Sequence, residues 1–206
     1  RHLNKPAITH LGEAGHRRHD FAQLADGVAR HAAALGQRGV KRGDRVALLA
    51  PNNDHLVRAI LACWWMGAVA CPLNVRWSAQ EVQYALQDSE AALLLADESL
   101  RALAPEDPTP VLSFAELSDE AMACAPLADT RTGGDALAAI LYTGGTTGRS
   151  KGVLLSHANF WTASMTRGAE LNNAPDSVSL LVVPLFHVAG LGRLVGQMIV
   201  GGGCVT

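Results

Sequence analysis

Three short apolar runs, residues 46–50, 91–96 and 137–142, constrain this chain more than any other feature, because none of them alternates with polar residues. A strand with one wet face alternates. A strand that is apolar without a break is covered on both faces, as in parallel sheets flanked by helices. The stretches between the runs carry the helices that this requires. Asp20 with Gln23 makes a capping-box pattern, and Phe21, Leu24, Val28, Ala32 and Leu35 then recur at helical spacing up to a stop at Gly36 and Gly39. Pro51-Asn52-Asn53-Asp54 signals a turn and the start of a helix apolar nearly all round, which runs to Met66 and ends at Gly67. Ser78 with Glu81 opens a third helix. Strands that alternate with helices predict an α/β fold with mainly parallel sheets.

The remainder fills in around that frame. A short strand is expected at 68–71. Residues 104–132 hold Pro105, Pro108, Pro110, Pro126 and many acids, and they predict a surface excursion with at most one short strand near Val111 and Leu112. Beyond the 137–142 run the order reads glycine-rich loop, strand at 153–155, helix from His157 to about Arg167, strand at 179–183 and helix from about Val188 to Ile199. No internal repeat or low-complexity tract is present.

Charge and cysteine usage narrow the function classes. Lys plus Arg is 17 against 19 Asp plus Glu, a net charge of −2, so no basic excess draws in a nucleic-acid backbone. Cys63, Cys71, Cys124 and Cys204 lack zinc-site spacing and the density of a disulfide scaffold, and they read as buried thiols in a reducing compartment. The longest uncharged apolar run, 59–73, contains Gly67 and Pro72 and falls short of the roughly 20 residues that span a bilayer. The first residues carry no apolar signal core, and a cytoplasmic location is expected. His16, His19 and His55 read as surface or capping residues, and Trp64, Trp65 and Met66 as core.

Most functional information sits in Leu141-Tyr142-Thr143-Gly144-Gly145-Thr146-Thr147-Gly148-Arg149-Ser150-Lys151-Gly152. Glycines let backbone N–H groups approach phosphate oxygens, hydroxyls add donors, and a lysine supplies compact positive charge. The plain alternative is a glycine-rich hairpin with a solvated lysine. A Walker loop needs lysine directly after its last glycine; here Arg149 and Ser150 intervene and a strand-like run follows. The dinucleotide pattern G-x-G-x-x-G has no match in the segment either.

The segment closely resembles the phosphate loop of the adenylate-forming (AMP-binding) superfamily, whose pattern runs Tyr-Thr-Ser-Gly-Thr-Thr-Gly, two variable residues, Lys-Gly. Tyr142, Thr143, Gly145, Thr146, Thr147, Gly148, Lys151 and Gly152 match it; Gly144 replaces the usual serine and Ser150 the common proline. Gly39-Val40-Lys41-Arg42-Gly43-Asp44-Arg45-Val46-Ala47, Pro51-Asn52-Asn53, and Gly67-Ala68-Val69 with Pro72-Leu73-Asn74 are similar to further family segments in the family's order, so the likeness covers nearly the whole chain. Pro184-Leu185-Phe186-His187-Val188-Ala189-Gly190 is similar to the family motif that lines the acyl pocket. By its residues alone, a histidine there is more often a packed or capping group.

The resemblance implies ATP-dependent activation of a carboxylic acid, a fatty or other acyl acid, to an acyl-adenylate and then an acyl-CoA, with ATP, Mg²⁺ and CoA. It implies phosphate contacts from Thr143, Gly144, Gly145, Thr146, Thr147, Gly148 and Lys151, a metal contact from Thr143, and substrate contacts from His187 and Gly190. Phe186 and Val188 offer no anion to an amino group, which disfavours amino-acid substrates. The family's Tyr-Gly-x-Thr-Glu element, ribose aspartate and mobile C-terminal domain with its lysine are not found. Residues 1–206 are therefore expected to be the N-terminal portion of an acid–thiol ligase, with 1–132 a first α/β portion and 133–206 the phosphate loop and the start of a second. The fragment by itself is expected to be inactive. An open apolar face over 170–206 is expected to drive self-association. A non-catalytic nucleotide-binding module, or an interaction fragment, is the alternative reading.

Overall fold

The computed structural model describes all residues except 1–2, 13–14, 106–107, 145–148 and 171–173. The elements run β1 (Pro6–Gly12), β2 (Gly15–Asp20), α1 (Phe21–Gln37), β3 (Arg45–Leu49), α2 (Asp54–Met66), β4 (Val69–Pro72), α3 (Ala79–Ser89), β5 (Ala91–Ala96), a 3₁₀ turn (Glu98–Leu103), β6 (Val111–Ser113), α4 (Phe114–Ala123), β7 (Leu137–Thr143), β8 (Lys151–Ser156), α5 (His157–Glu170), β9 (Val178–Leu180), α6 (Val188–Ile199) and β10 (Gly203–Val205). They form a six-stranded sheet ordered β6-β5-β3-β4-β7-β8 and a four-stranded sheet ordered β2-β1-β10-β9. All pairings are parallel except β1 with β2 and β7 with β8.

Each unbroken apolar run divides between two cores. In β3, Val46 and Leu48 join a cluster with α1, α2 and α4, while Ala47 and Leu49 face Val82, Ala85 and Leu86 of α3. In β5, Leu93 and Leu95 go one way and Leu94 and Ala96 the other. Period-two side-chain placement thus turns one apolar string into two buried faces.

The helix signals act as read. Asp20 and Ser78 close reciprocal capping boxes with Gln23 and Glu81, Asn53 caps α2 through the Leu56 N–H, and Gly67 ends α2 in the left-handed conformation at φ 79°. A Cβ at Gly67 would also sit 2.7 Å from Thr132 Oγ1, so both conformation and space call for glycine.

Three sequence expectations need correction. The 104–132 stretch is not a bare excursion: Ser113 and Glu116 close a capping box on α4, which buries Phe114, Leu117 and Ala121. The strand expected at 179–183 stops at Leu180, because the Leu181 N–H donates to the Val205 carbonyl as the last rung and the chain then leaves the sheet. His19 and His55, expected at the surface or in caps, are part-buried. His19 Nε2 lies 3.1 Å from Asp54 Oδ2, beside the two-pronged Arg17 contact to the same carboxylate, and His55 Nδ1 is buried.

Asp54 is 1% exposed, and the His19 and Arg17 contacts hold its carboxyl far below the usual range against the cost of burial. This cluster fastens β2 to the start of α2. The four cysteines are free and buried as read, with the Cys71 thiol pushed up to about 12 by burial. Met66 is core; Trp64 and Trp65 pack against it part-buried, each indole N–H donating to a backbone carbonyl, of Ala138 and Leu127 respectively. Among the described residues no helix is long and apolar enough to cross a membrane.

Candidate functional site

The β7–β8 pair is the stem of the glycine-rich loop. β7 is central enough to be buried at Ala138, Ala139, Ile140 and Leu141, then emerges at Thr143; β8 is the sheet's edge, and Lys151 lies exposed at its start. The register sets Thr143 opposite Lys151, with Thr143 Oγ1 donating to the Lys151 carbonyl at 3.5 Å. A polar hydroxyl and an ammonium are thereby brought to the same end of the sheet. Gly152, next in register, lies against Tyr142: a Cβ there would come within 2.8 Å of Ile140 Cγ2, so glycine lets the two strands close. Gly144 faces open space. Gly145, Thr146, Thr147 and Gly148, named above as phosphate contacts, lie outside the described residues.

Both stems of the loop are held to α3. Tyr142 donates its phenol to Asp88 Oδ2 at 2.8 Å and packs edge-on to Trp77; burial pushes its pKa up, and the Asp88 charge adds to this. On the other side Arg149 stacks over the Tyr84 ring at 5.3 Å, and Tyr84 donates to Asp88 Oδ1. A cleft of about 560 Å³ lies between α3 and Arg149–Ser150, lined by Trp77, Glu81 and Tyr84 among others. Tyr84 and Asp88 were missed from sequence because the capping box that announces their helix carries no chemistry.

His187 stands where the segment after β9 turns into α6. Its Nδ1 accepts from the Ala189 N–H at 3.2 Å, so this exposed histidine is the helix N-cap, and its Nε2 remains free to carry the proton outward. Gly190 is buried behind it. A Cβ at Gly190 would meet the Pro184 carbonyl oxygen at 2.2 Å and that of Val183 at 2.6 Å, so this glycine lets α6 press onto the 183–184 backbone. Directly beyond His187, an apolar groove of about 360 Å³ runs between α5 and α6, lined by Leu155, Phe160, Ala163, Val188, Ala189 and Gly192 among others. That volume and lining suit a small organic group.

With this geometry stand the comparisons with known proteins. The sequence profile described as "AMP-binding enzyme" matches residues 1–206. The chain belongs to the AMP-binding enzyme family. Among its curated relatives are a 2-succinylbenzoate–CoA ligase of Bacillus thuringiensis, 34% identical over 181 residues (88% of this chain, 36% of that protein), and a feruloyl-CoA synthase of an Amycolatopsis species, 36% identical over 193 residues (90% and 38%). The chain thus spans well under half the length of these curated AMP-binding relatives. In solved structures it resembles O-succinylbenzoate coenzyme A synthetase from Bacillus subtilis in complex with AMP: TM-score 0.90, 29% identity, covering 99% of this chain and 52% of that one. The same synthetase solved with ATP and a magnesium ion matches at TM-score 0.87, 28% identical, over all of this chain and 54% of that one. The α/β architecture with mainly parallel sheets is shared with these solved structures, and the curated relatives are by name a CoA ligase and a CoA synthase.

Among the described residues no group of three or more His, Cys, Asp or Glu could hold a metal. Thr143 offers one neutral oxygen at the loop stem. One such oxygen fits a Mg²⁺ that keeps most of its waters.

Proposed function

We propose that this chain is the N-terminal part of an acid–thiol ligase that adenylates a small carboxylic acid at the expense of ATP and passes the acyl group to CoA. The observation that carries this reading is the juxtaposition of Thr143 and Lys151 at the mouth of the glycine-rich loop, in a chain of the AMP-binding family. An exposed ammonium and hydroxyl at a sheet end can hold phosphate oxygens, and Gly144 beside them leaves room for a phosphate to approach the backbone. Gly145, Thr146, Thr147 and Gly148 belong to the same proposed cradle.

In the first half-reaction the acid's carboxylate attacks the α-phosphate of ATP and pyrophosphate leaves; in the second, the CoA thiol displaces AMP. Such chemistry asks a protein mainly for positioning and charge neutralisation. Lys151 neutralises phosphate charge, and Thr143 donates its hydroxyl to a phosphate oxygen or turns its lone pair to the metal. Mg²⁺, when bound, supplies further neutralisation of the polyphosphate. His187 presents an Nε2–H outward at the start of α6, where it can donate to the acid, while the α5–α6 groove takes the acid's apolar part. Gly190 gives that corner its close packing.

Phe186 and Val188 place no carboxylate beside His187, so acyl or aryl acids are favoured over amino acids. The full-length protein, supplied with ATP, Mg²⁺ and CoA, is expected to release pyrophosphate and form a thioester with at least one acid from a panel spanning succinylbenzoate, ferulate and medium and long fatty acids. Pyrophosphate release with no acid, or none with any acid, would overturn the proposal.

A further inference from the structure

Asn52 lies outside both motifs, in the turn after β3, yet its side chain reaches the segment that carries His187. Its Nδ2 donates to the Leu181 carbonyl at 2.8 Å and to the Val183 carbonyl at 2.9 Å, and its Oδ1 accepts from the Leu185 N–H at 2.9 Å. Two carbonyls on one side and an N–H on the other leave only one orientation of the amide that satisfies all three.

The placement matters because of what lies at each end. β3 is flanked by β4 and β5 in the six-stranded sheet, and Asn52 follows its C-terminal end, where ligands of such sheets gather. At the other end, the Leu181 N–H makes the last rung of the four-stranded sheet, and residues 182–186 take no part in a strand ladder. They are then bent into α6 by the His187 N–H donating to the Pro184 carbonyl at 3.0 Å, with Gly190 seated on the same backbone. The position of His187 relative to the six-stranded sheet therefore passes through the stretch that Asn52 grips.

We propose that Asn52 is a positioning residue for the acid site: its carboxamide fixes residues 181–185 and so sets where His187 and the mouth of the α5–α6 groove stand. This rests on the reading of His187 given under the proposed function. A carboxamide suits the task as few side chains do. Aspartate has no N–H to give and would set a negative charge against two carbonyl oxygens, and serine brings one donor where two are used.

The test uses the full-length protein with Asn52→Ala and Asn52→Asp, and with Asn53→Ala as control, since Asn53 caps α2 through the Leu56 N–H at 2.7 Å. In both Asn52 variants amide exchange across 181–187 is expected to rise at least tenfold, the KM for the carboxylic acid at least tenfold, and the KM for ATP less than twofold. Asn53→Ala is expected to lower the melting temperature while moving neither exchange at 181–187 nor the acid KM. Should both Asn52 variants unfold, Asn52→Ser, which keeps one donor, is expected to show an intermediate rise. An acid KM within twofold of the native value in whichever variant folds overturns the proposal. If the native protein activates no acid, the proposed function falls, and the exchange measurement alone judges Asn52: a tenfold rise upholds its grip on 181–185, and an unchanged rate overturns it.

Discussion

The centre of the six-stranded sheet and the last strands of the four-stranded sheet use the same residue types to opposite ends. In β3, and in β5 from Leu93 to Ala96, valine, leucine and alanine are buried on both faces. In β9 the pattern inverts: Val178 is 67% and Leu180 60% exposed, while Ser179 between them is 3% exposed. Ser179 tolerates this because it is satisfied, donating to Gln197 Oε1 at 3.0 Å and accepting from Arg193 Nε at 3.1 Å, and the fully buried Gln197 donates in turn to the Ser177 carbonyl. Apolar character alone thus does not say which side of a strand is inside. What decides it is which face finds a helix, and α6 covers the serine side of β9.

The largest expected effect of that difference is on stability. Leu48→Ala or Ile60→Ala, both fully buried, should cost about 2–5 kcal/mol in chemical denaturation, while Leu180→Ala should stay within about 0.5 kcal/mol. Equal costs would mean that β9 is as well covered as β3.

Next comes a pH effect seated between α1 and α4. His31 is buried; its Nδ1–H donates to the Gly27 carbonyl at 2.7 Å, and burial, with the charge on Arg58 adding, holds its pKa at about 4 against an ordinary 6.5. The folded state therefore binds fewer protons than the unfolded chain between those values, so this contribution is complete above about pH 6.5. It is lost as pH falls toward 4, by up to ~3 kcal/mol. His31→Gln should flatten the stability–pH curve across that window; a slope unchanged there would remove His31 from the account.

Lys151→Ala probes the exposed edge, where function and stability part. In the full-length protein it should lower acid-dependent adenylation by about 10–100-fold, the loss of one charge-assisted contact of about 1.5–3 kcal/mol, with folding stability within about 0.5 kcal/mol. A drop in stability with adenylation unchanged would make Lys151 structural.

The open face of β9 bears on association. The 206-residue chain is expected to sediment above its monomer mass at tens of micromolar, and Leu180→Ser with Val182→Ser, the latter 73% exposed in the native chain, to bring it back. A monomer from the outset would show that this face is harmless in water. The smallest effect is expected from Gly144→Ser: its position is open and its φ is not in the left-handed range, so stability should not move, and adenylation should be unchanged or slightly faster.

Much of this was legible before any coordinates. Apolar runs without alternation called for strands covered on both faces, and capping patterns at Asp20 and Ser78 with the turn signal at Pro51-Asn52-Asn53-Asp54 located three helix starts, because these signals are local. The same local signal at Ser113 and Glu116 went unread beneath the prolines around it, which is why α4 came as a correction. The glycine-rich segment matched the family's loop residue by residue, and the phosphate role proposed for it rests on that match, because by residue types alone a plain hairpin reads equally well.

What sequence could not decide were the partnerships between distant residues. That β10 would slot between β1 and β9, that Asp54 would gather Arg17 and His19, and that Asn52 would grip residues 181–185 across an interval of some 130 positions depend on how the two sheets meet. Hydrogen bonds between residues so far apart leave no periodicity in the chain. The tertiary structure alone brings their donors and acceptors to within 2.6–3.2 Å, and the site's shape follows from that.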